Sequence, residues 1–547
     1  MPRPIWIVLL AVIAWLPSVL RGGTAMDDGE LLFANPVVDG SLPISAAFDR
    51  DYFHHIGDAG QWRPLATLSL RLEHALWGSW THGYHLGNVA LHALVCALAA
   101  ALLRRTRGAE TSWPWFGLAL FAVHPALADA VAWISGRTAL VSAAAGLAGG
   151  LACLWASAGP SWRIALAAGT GVCLAAMGKE DGACFALLYV LTAPHPRAAR
   201  AAALGAALGL AGWFVARGIA LGDFVPSAAH PALGAAPLAE RLIIGGCELL
   251  EALRLLVLPV AYPPQYRADF LLERFAPLPP AAAALAGWVL WMALFLGGLA
   301  RRRTRAGGAA LLAAVAWLPV LQIAPLGEVF APRFLYLPLL FGVPLVHGLF
   351  SRLPARGVVA ALALAAAIPL AAVRSALYAD RGLWRAEMLR HQPDDAPSWN
   401  DMGLVREERG DVAGALQAWR QAIVADERHS RSWSNLGRVL LGRGDLLEAE
   451  RALRRAVSEG PHNPVAHVNL ASLLLRSGRG REALGLYERA QELAPGLGAA
   501  WRGAGQALLA AGDPQGAANA LARALELDPR DDAARRLLAE ANDTSLR

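Results

Sequence analysis

Two adjacent carboxylates, Asp27 and Asp28 in the run Met26-Asp27-Asp28-Gly29-Glu30, are the first residues whose types could carry out a reaction. Such a pair can deprotonate an acceptor hydroxyl as a general base or bind a divalent cation; the solvated start of a loop is the plainer reading. Further along, Arg137, Lys179 and Arg333 stand in short polar gaps between apolar runs. Together they could neutralise a phosphate, the arginines by bidentate contact and the lysine as a point charge. Snorkelling or ion pairing would place each of them there as well. The chain has 48 arginines and a single lysine, which sets the ammonium of Lys179 apart, though one residue is also what chance leaves. His85, Asn88 and His92 lie at i, i+3 and i+7, on one helical face. That face lines a wet cavity or makes interhelical hydrogen bonds. Spacing offers no third ligand for zinc at His85 and His92, so no metal is expected. The five cysteines fall in apolar runs with no paired short spacing.

The elements that must position these residues follow from the distribution of apolar residues. Of 547 residues, 56% are hydrophobic and 17% charged, with a net charge of +6, and soluble domains carry about a quarter charged residues. An ordinary soluble enzyme is disfavoured, and no stripe of basic residues interleaved with aromatics suggests nucleic acid. Apolar blocks near the length of a membrane crossing fall at 5–20, 84–103, 113–126, 138–157, 163–178, 182–194, 201–220, 281–299, 308–325, 334–350 and 356–373. Arginines cluster in alternate gaps (Arg3, Arg104 to Arg107, Arg163, Arg197 and Arg200, Arg301 to Arg305, Arg352 and Arg356), which marks those gaps as cytoplasmic. Residues 241–260 are apolar but carry Glu248, Glu251 and Arg254 at helical spacing, and counting them as a crossing would invert the later arginines. They read as an interfacial or re-entrant helix. The expected topology has about eleven crossings, a cytoplasmic N-terminus and an outer C-terminus, with a long outer loop at 21–82. A cleavable signal peptide is the alternative reading of residues 1–25.

After Arg374 the composition inverts and a period of 34 begins. Trp399, Trp433, His467 and Trp501 are in phase, as are Gly403, Gly437, Ala471 and Gly505, and Gly410, Gly444, Gly478 and Gly512. Ala415, Ala449, Ala483 and Ala517 keep the register, as do Ala422, Ala456, Ala490 and Ala524, while Pro461, Pro495 and Pro529 close three units. Small residues let the two helices of a hairpin approach, the third glycine set permits the turn, and each hairpin buries its apolar face only against its neighbours. Four units of this length resemble tetratricopeptide repeats. The expected organisation is a membrane domain over 1–375, a linker over 376–396, and four repeats over 397–547 closed by a polar capping helix from Asp531 to Asn542. A concave groove for a peptide is the expected use of the repeats, with Trp399, Trp433 and Trp501 as acceptor-binding candidates. Packing of the array against the membrane part of its own chain is the alternative.

Several motifs in chain order carry a further resemblance: Asp27-Asp28; Trp62-Arg63-Pro64-Leu65; Gly83-Tyr84-His85-Leu86-Gly87-Asn88 with His92; His124-Pro125 through Asp129 to Gly136-Arg137; Lys179-Glu180; and Arg333-Phe334-Leu335-Tyr336-Leu337-Pro338. Followed by tetratricopeptide repeats, the ordered set resembles the TMTC family of transmembrane-and-tetratricopeptide-repeat protein O-mannosyltransferases and its bacterial relatives. The resemblance implies an all-α GT-C membrane fold followed by an α-solenoid. It implies transfer of a mannose-like sugar from a polyprenyl-phosphate carrier to serine or threonine hydroxyls of a polypeptide, on the outer face of a bacterial inner membrane. Asp27 or Asp28 would be the base, and Arg137, Lys179 and Arg333 the donor-phosphate ligands. Arg63, His85, Asn88, His92, His124, Asp129, Glu180 and Tyr336 would line the cavity. Asp129 stands where relatives often have glutamate, Ala139 where an aspartate is common, and Phe334 where tyrosine is frequent. An inverting displacement needs one base and cations that stabilise the departing phosphate, so no cofactor is required, while a divalent ion at Asp27 and Asp28 is the option left open.

Three other readings compete. A noncatalytic membrane-anchored scaffold would not need so many crossings with charged outer loops. A glycolipid-directed enzyme of the same fold class would not need a peptide groove. A transporter would show internal repetition in its membrane half, and none is visible.

Overall fold

The computed structural model describes residues 5–54, 60–107, 115–222, 231–323 and 328–545; Arg3, residues 325–327 of the last expected outer loop and Arg547 lie outside them. Two compact units divide the chain, Met1–Glu387 and Met388–Arg547. Among the described residues there is no strand, only an isolated bridge between Tyr266 and Phe330.

The first unit runs α1 (Ile5–Arg21), α2 (Asp28–Phe33), α3 (Pro64–Trp77), α4 (Thr81–Arg107), α5 (Trp115–Ala122) and α6 (Ala128–Val131). It continues with α7 (Arg137–Ala156), α8 (Ser161–Gly178), α9 (Phe185–Thr192), α10 (Pro196–Leu221), α11 (Pro231–Ala235), α12 (Leu238–Val257) and α13 (Ala268–Glu273). Then come α14 (Pro280–Ala300), α15 (Arg305–Trp317), α16 (Tyr336–Phe350), α17 (Arg356–Leu377) and α18 (Arg381–His391), with the division between units falling inside α18. Among the described residues, seven helical stretches are long and apolar enough to cross a membrane: α4, α7, α8, α10, α14, α16 with the turn before it, and α17. α1 and α15 are shorter apolar helices.

Three expected crossings are not single long helices, among them 308–325, where α15 gives way after Trp317 to a 3-10 turn at Leu318–Val320. The described part of 113–126 holds the eight-residue α5, which stops before His124-Pro125, because proline offers no N–H and disfavours helix in the residue before it. The 182–194 block divides into a 3-10 turn at Glu180–Cys184 and the eight-residue α9. Most of residues 241–260 belong to the 20-residue α12 (Leu238–Val257), and Glu248 and Glu251 on it are answered inside the protein. Glu251 takes hydrogen bonds of 2.7 Å from Arg254 and 2.6 Å from the Tyr266 hydroxyl, and Glu248 takes one of 3.0 Å from Gln322. Where α7 and α8 cross, a methyl on Gly149 would lie 2.7 Å from the Gly171 Cα. Between apolar helices, this kind of contact comes from small residues letting backbones touch.

The second unit is a row of helix pairs, α19 (Ala396–Glu408) with α20 (Val412–Ala425), α21 (Ser430–Arg443) with α22 (Leu446–Glu459), and α23 (Pro464–Arg476) with α24 (Gly480–Leu493). A fourth pair, α25 (Gly498–Ala510) with α26 (Pro514–Leu527), is followed by the closing α27 (Asp532–Ser545). The periodic residues have the roles their sizes suggest. Ala415, Ala449, Ala483 and Ala517 are fully buried, and the turn glycines Gly410, Gly444, Gly478 and Gly512 have φ of +81°, +84°, +75° and +79°. A Cβ at such a position costs about 1–2 kcal/mol. Gly444→Ala should therefore weaken the second hairpin by about that amount, read as faster amide hydrogen exchange in α21 and α22 of the full chain.

Candidate functional site

The chain between α6 and α7, Ala132 to Gly136, is irregular and buried, so its backbone polar groups need partners. The motif residues supply them. His85 Nδ1 lies 2.9 Å from the Ala132 carbonyl, and its Nε2 lies 2.7 Å from that of Gly23. Asn88 Nδ2 donates to the Trp133 carbonyl at 2.7 Å. Asp28 closes the other side: Oδ1 accepts the Ser135 N–H at 3.0 Å and Oδ2 accepts that of Ala25 at 3.1 Å. Deeper in the same bundle, His92 Nε2 lies 3.1 Å from the Ala122 carbonyl. A carbonyl can only accept, so Nε2 carries the proton and Nδ1 accepts the Tyr336 hydroxyl at 2.8 Å. His124 takes the Ala126 N–H on Nδ1 at 3.3 Å, capping a proline turn.

His85, Asn88, His92 and Tyr336 are thus interhelical stitches and His124 is a cap, with side chains enclosed by protein. Two breaks leave carbonyls bare: the one at His124-Pro125 frees that of Ala122, met by His92, and the irregular chain after α6 frees those of Ala132 and Trp133, met by His85 and Asn88.

Arg137 also differs from the expectation. Its side chain has no exposure, and Nη2 is spent on Glu73 at 2.8 Å and on the Tyr84 carbonyl at 3.2 Å. A phosphate cannot reach a guanidinium with no accessible surface, so Arg137 positions the α3–α4 corner. Its partner Glu73 was missed in the sequence, although it is the lone carboxylate of α3 in an amphipathic stretch.

What remains forms a charged cluster at the same end of the bundle. Arg333 bonds Asp129 through Nη1 and through its backbone N–H, both at 3.1 Å, and pairs with Glu328 through Nη2. Its guanidinium lies over the Trp133 ring, 4.8 Å from the centroid. Lys179 Nζ sits 2.8 Å from Asp181. Both cations flank Phe334, Lys179 Nζ at 5.5 Å and the Arg333 guanidinium carbon at 5.6 Å from its centroid. Arg63 donates to Glu180 at 3.0 Å and lies 5.8 Å from the Tyr52 centroid, a residue not anticipated from the sequence. Burial works against the Glu180 charge, but Arg63 prevails and holds its carboxyl below the usual range. Asp129 is pushed up by burial despite Arg333.

The acidic pair divides its labour. Asp28 is enclosed, both oxygens are occupied, and burial together with the Asp27 charge pushes its carboxyl well up. Asp27 is half-buried, and its Oδ1 is sealed from solvent with no hydrogen-bond partner. Burial raises its pKa to about 7, with Arg333 opposing and Glu328 and Glu30 reinforcing the rise. The preceding Met26 sits at φ +50°, in the left-handed region. Among the described residues no group of three or more His, Cys, Asp or Glu is placed to hold a metal ion.

In the repeats, Trp399 Nε1 donates to the Pro393 carbonyl at 2.8 Å, Trp433 to Glu427 at 2.8 Å and Trp501 to Pro495 at 2.9 Å. His467, in the same phase, places Nε2 3.0 Å from the Pro461 carbonyl. Every one reaches six residues back to tie down the turn before its helix, so the periodic tryptophans are turn clamps and their N–H groups are not available to an acceptor peptide. Trp433→His should keep the clamp, whereas Trp433→Leu should speed amide exchange over 426–433 by about tenfold.

Tetratricopeptide-repeat family models match residues 400–464, 440–508 and 498–541. Protein O-mannosyl-transferase Tmtc1 of Drosophila melanogaster is 38% identical over 141 residues, covering 24% of this chain and 16% of that protein. Protein O-mannosyl-transferase F38B6.6 of Caenorhabditis elegans is 32% identical over 144 residues, covering 25% and 20%. The likeness lies in the repeat region, so the chain matches at most a fifth of these two relatives' length. Among solved structures, a crystal structure of MamA aligns at TM-score 0.24 with 20% identity, over 28% of this chain and 82% of that one. Over residues 400–541 the chain is similar to tetratricopeptide repeats, and its likeness to these protein O-mannosyl-transferases falls in that region.

Proposed function

We propose that the chain is a membrane glycosyltransferase that moves a mannose-like sugar from a polyprenyl-phosphate carrier to serine or threonine hydroxyls of polypeptides, with the repeats holding the acceptor. The observation that carries this reading is Asp27: a carboxylate that is only half-buried, unlike Asp28, whose pKa burial raises to about 7 and which feels the charge of Arg333. A base poised near the working pH is the favourable case for proton abstraction. In this scheme Asp27 takes the acceptor hydroxyl proton as the oxygen attacks the anomeric carbon. The carbon–phosphate-oxygen bond breaks, and the charge left on the phosphate is met by Arg333 and Lys179. The names of the relatives support a protein O-mannosyltransferase. Inversion follows from a single base with no covalent carboxylate. No metal enters the scheme, because Asp28 spends both oxygens on backbone N–H groups. The reading places the Asp27 end of the bundle and the repeats outside the cytoplasm.

Membranes containing the chain should transfer mannose from polyprenyl-phosphate mannose to a polypeptide, and Asp27→Asn should abolish at least 99% of that transfer. The rate should rise with pH up to about 7 and then level off, since Asp27 works only when ionised. The folded chain holds this proton more tightly than an unfolded one, so ionising Asp27 opposes folding as pH climbs from about 4 toward 7. Asp27→Asn should therefore not lower the thermal midpoint at pH 8. Asp28→Asn should lower it, by about 1–3 kcal/mol of stability, because an amide N–H then faces a backbone N–H. Transfer that survives Asp27→Asn unchanged sinks the assignment of the base.

A further inference from the structure

At the opposite end of the helices from Asp27 there is a second feature that the proposed reaction does not use. A cavity of about 440 Å³ opens among α4, α7, α9, α15 and α16. Counting along α7 from Arg137 to the cavity-lining Leu154 gives about 25 Å of helix between this space and the acidic end. Its inner wall is apolar, made by residues such as Leu147, Leu188, Leu312, Leu340 and Phe341. Its rim is basic and hydroxylic: Arg105, Arg302 and Arg303, with Thr106, Thr192 and Thr304. Among the described residues no aspartate or glutamate lines it. The arginines of the 301–305 turn are exposed. Arg105 is held 5.1 Å from the Trp155 ring, which leaves its charge without a carboxylate in that contact.

The threonine hydroxyls are already used. Thr106 bonds the Leu102 carbonyl at 3.0 Å, Thr192 that of Leu188 at 2.7 Å and Thr304 that of Arg301 at 2.8 Å. Recognition at the rim is therefore left to the guanidinium groups, which favour a doubly contacted oxyanion such as phosphate. An apolar slot a few hundred Å³ in size with a cationic mouth, set between apolar helices, matches a ligand that is an anion at one end and hydrocarbon at the other.

We infer that this cavity binds an anionic membrane phospholipid, the phosphate held by Arg302, Arg303 and Arg105 and an acyl chain seated against Leu340 and Phe341. The arginine end is the cytoplasmic end by the distribution of positive charge, and the surface of that leaflet is the anionic one. Charge complementarity thus selects an anionic lipid over a zwitterionic one.

The test uses the full chain, purified in a neutral detergent and titrated with phosphatidylglycerol or with phosphatidylcholine of identical acyl chains, binding being read by native mass spectrometry. Phosphatidylglycerol should be retained in preference to phosphatidylcholine. Arg302→Ala with Arg303→Ala should weaken its retention about thirtyfold. Leu340→Trp, which fills the slot and leaves the arginines in place, should also reduce it. The thermal midpoint without added lipid checks that each variant is folded. Equal retention of the two lipids, or a preference unchanged in both variants, overturns the proposal. So does an undecaprenyl phosphate arm that outcompetes phosphatidylglycerol, since the slot would then serve the carrier. Sugar transfer is not part of the readout, so failure here is separate from failure of the Asp27 assignment.

Discussion

The first unit depends on one constraint: backbone N–H and C=O groups that leave a helix inside an apolar bundle must still be paired. Unsatisfied polar groups there have no water to turn to. The irregular Ala132–Gly136 chain is the sharpest case. Its carbonyls are answered from α4 by His85 and Asn88, and its Ser135 N–H by Asp28. These contacts tie together α1, α4 and the start of α7, and with them the height at which Asp27 is presented. The acidic pair is thus one residue held by two backbone N–H groups and one left half-buried beside it, separated by a single peptide bond.

The same constraint explains what could and could not be read from the sequence. Polar and ionisable residues in apolar surroundings stand out as an anomaly in the sequence, and the structure gives them partners at His85, Asn88, His92 and Arg137. Sequence spacing placed three of them on one face without showing that the face met bare carbonyls, because the break that exposes those carbonyls lies dozens of residues away. Glu73 went unnoticed because its partner Arg137 lies far along the chain, and Tyr52 because no motif marks its contact with Arg63. Helical blocks were legible from apolar length, but the 113–126 and 182–194 blocks hide breaks. A proline and a 3-10 turn interrupt them without changing their mean hydropathy.

The repeats were far more legible, because their contacts are local and recur. A glycine at φ near +80° and an alanine at zero exposure can each be inferred from phase alone. The tryptophans alone have a contact that phase does not reveal. Large aromatics at a fixed period suggest a binding surface, yet the position demands an N–H donor six residues after an open carbonyl, a demand that histidine meets at 467.

The charged cluster around Phe334 has a consequence for anything that enters it. Arg63, Lys179 and Arg333 face Glu180, Asp181, Asp129 and Glu328, so among these described pairs carboxylates outnumber cations. The site is electrically closed at rest. An oxyanion entering it would have to exchange places with a carboxylate already paired to a cation. Entry of an anion would therefore be an exchange of ions and not an addition to a vacant cation.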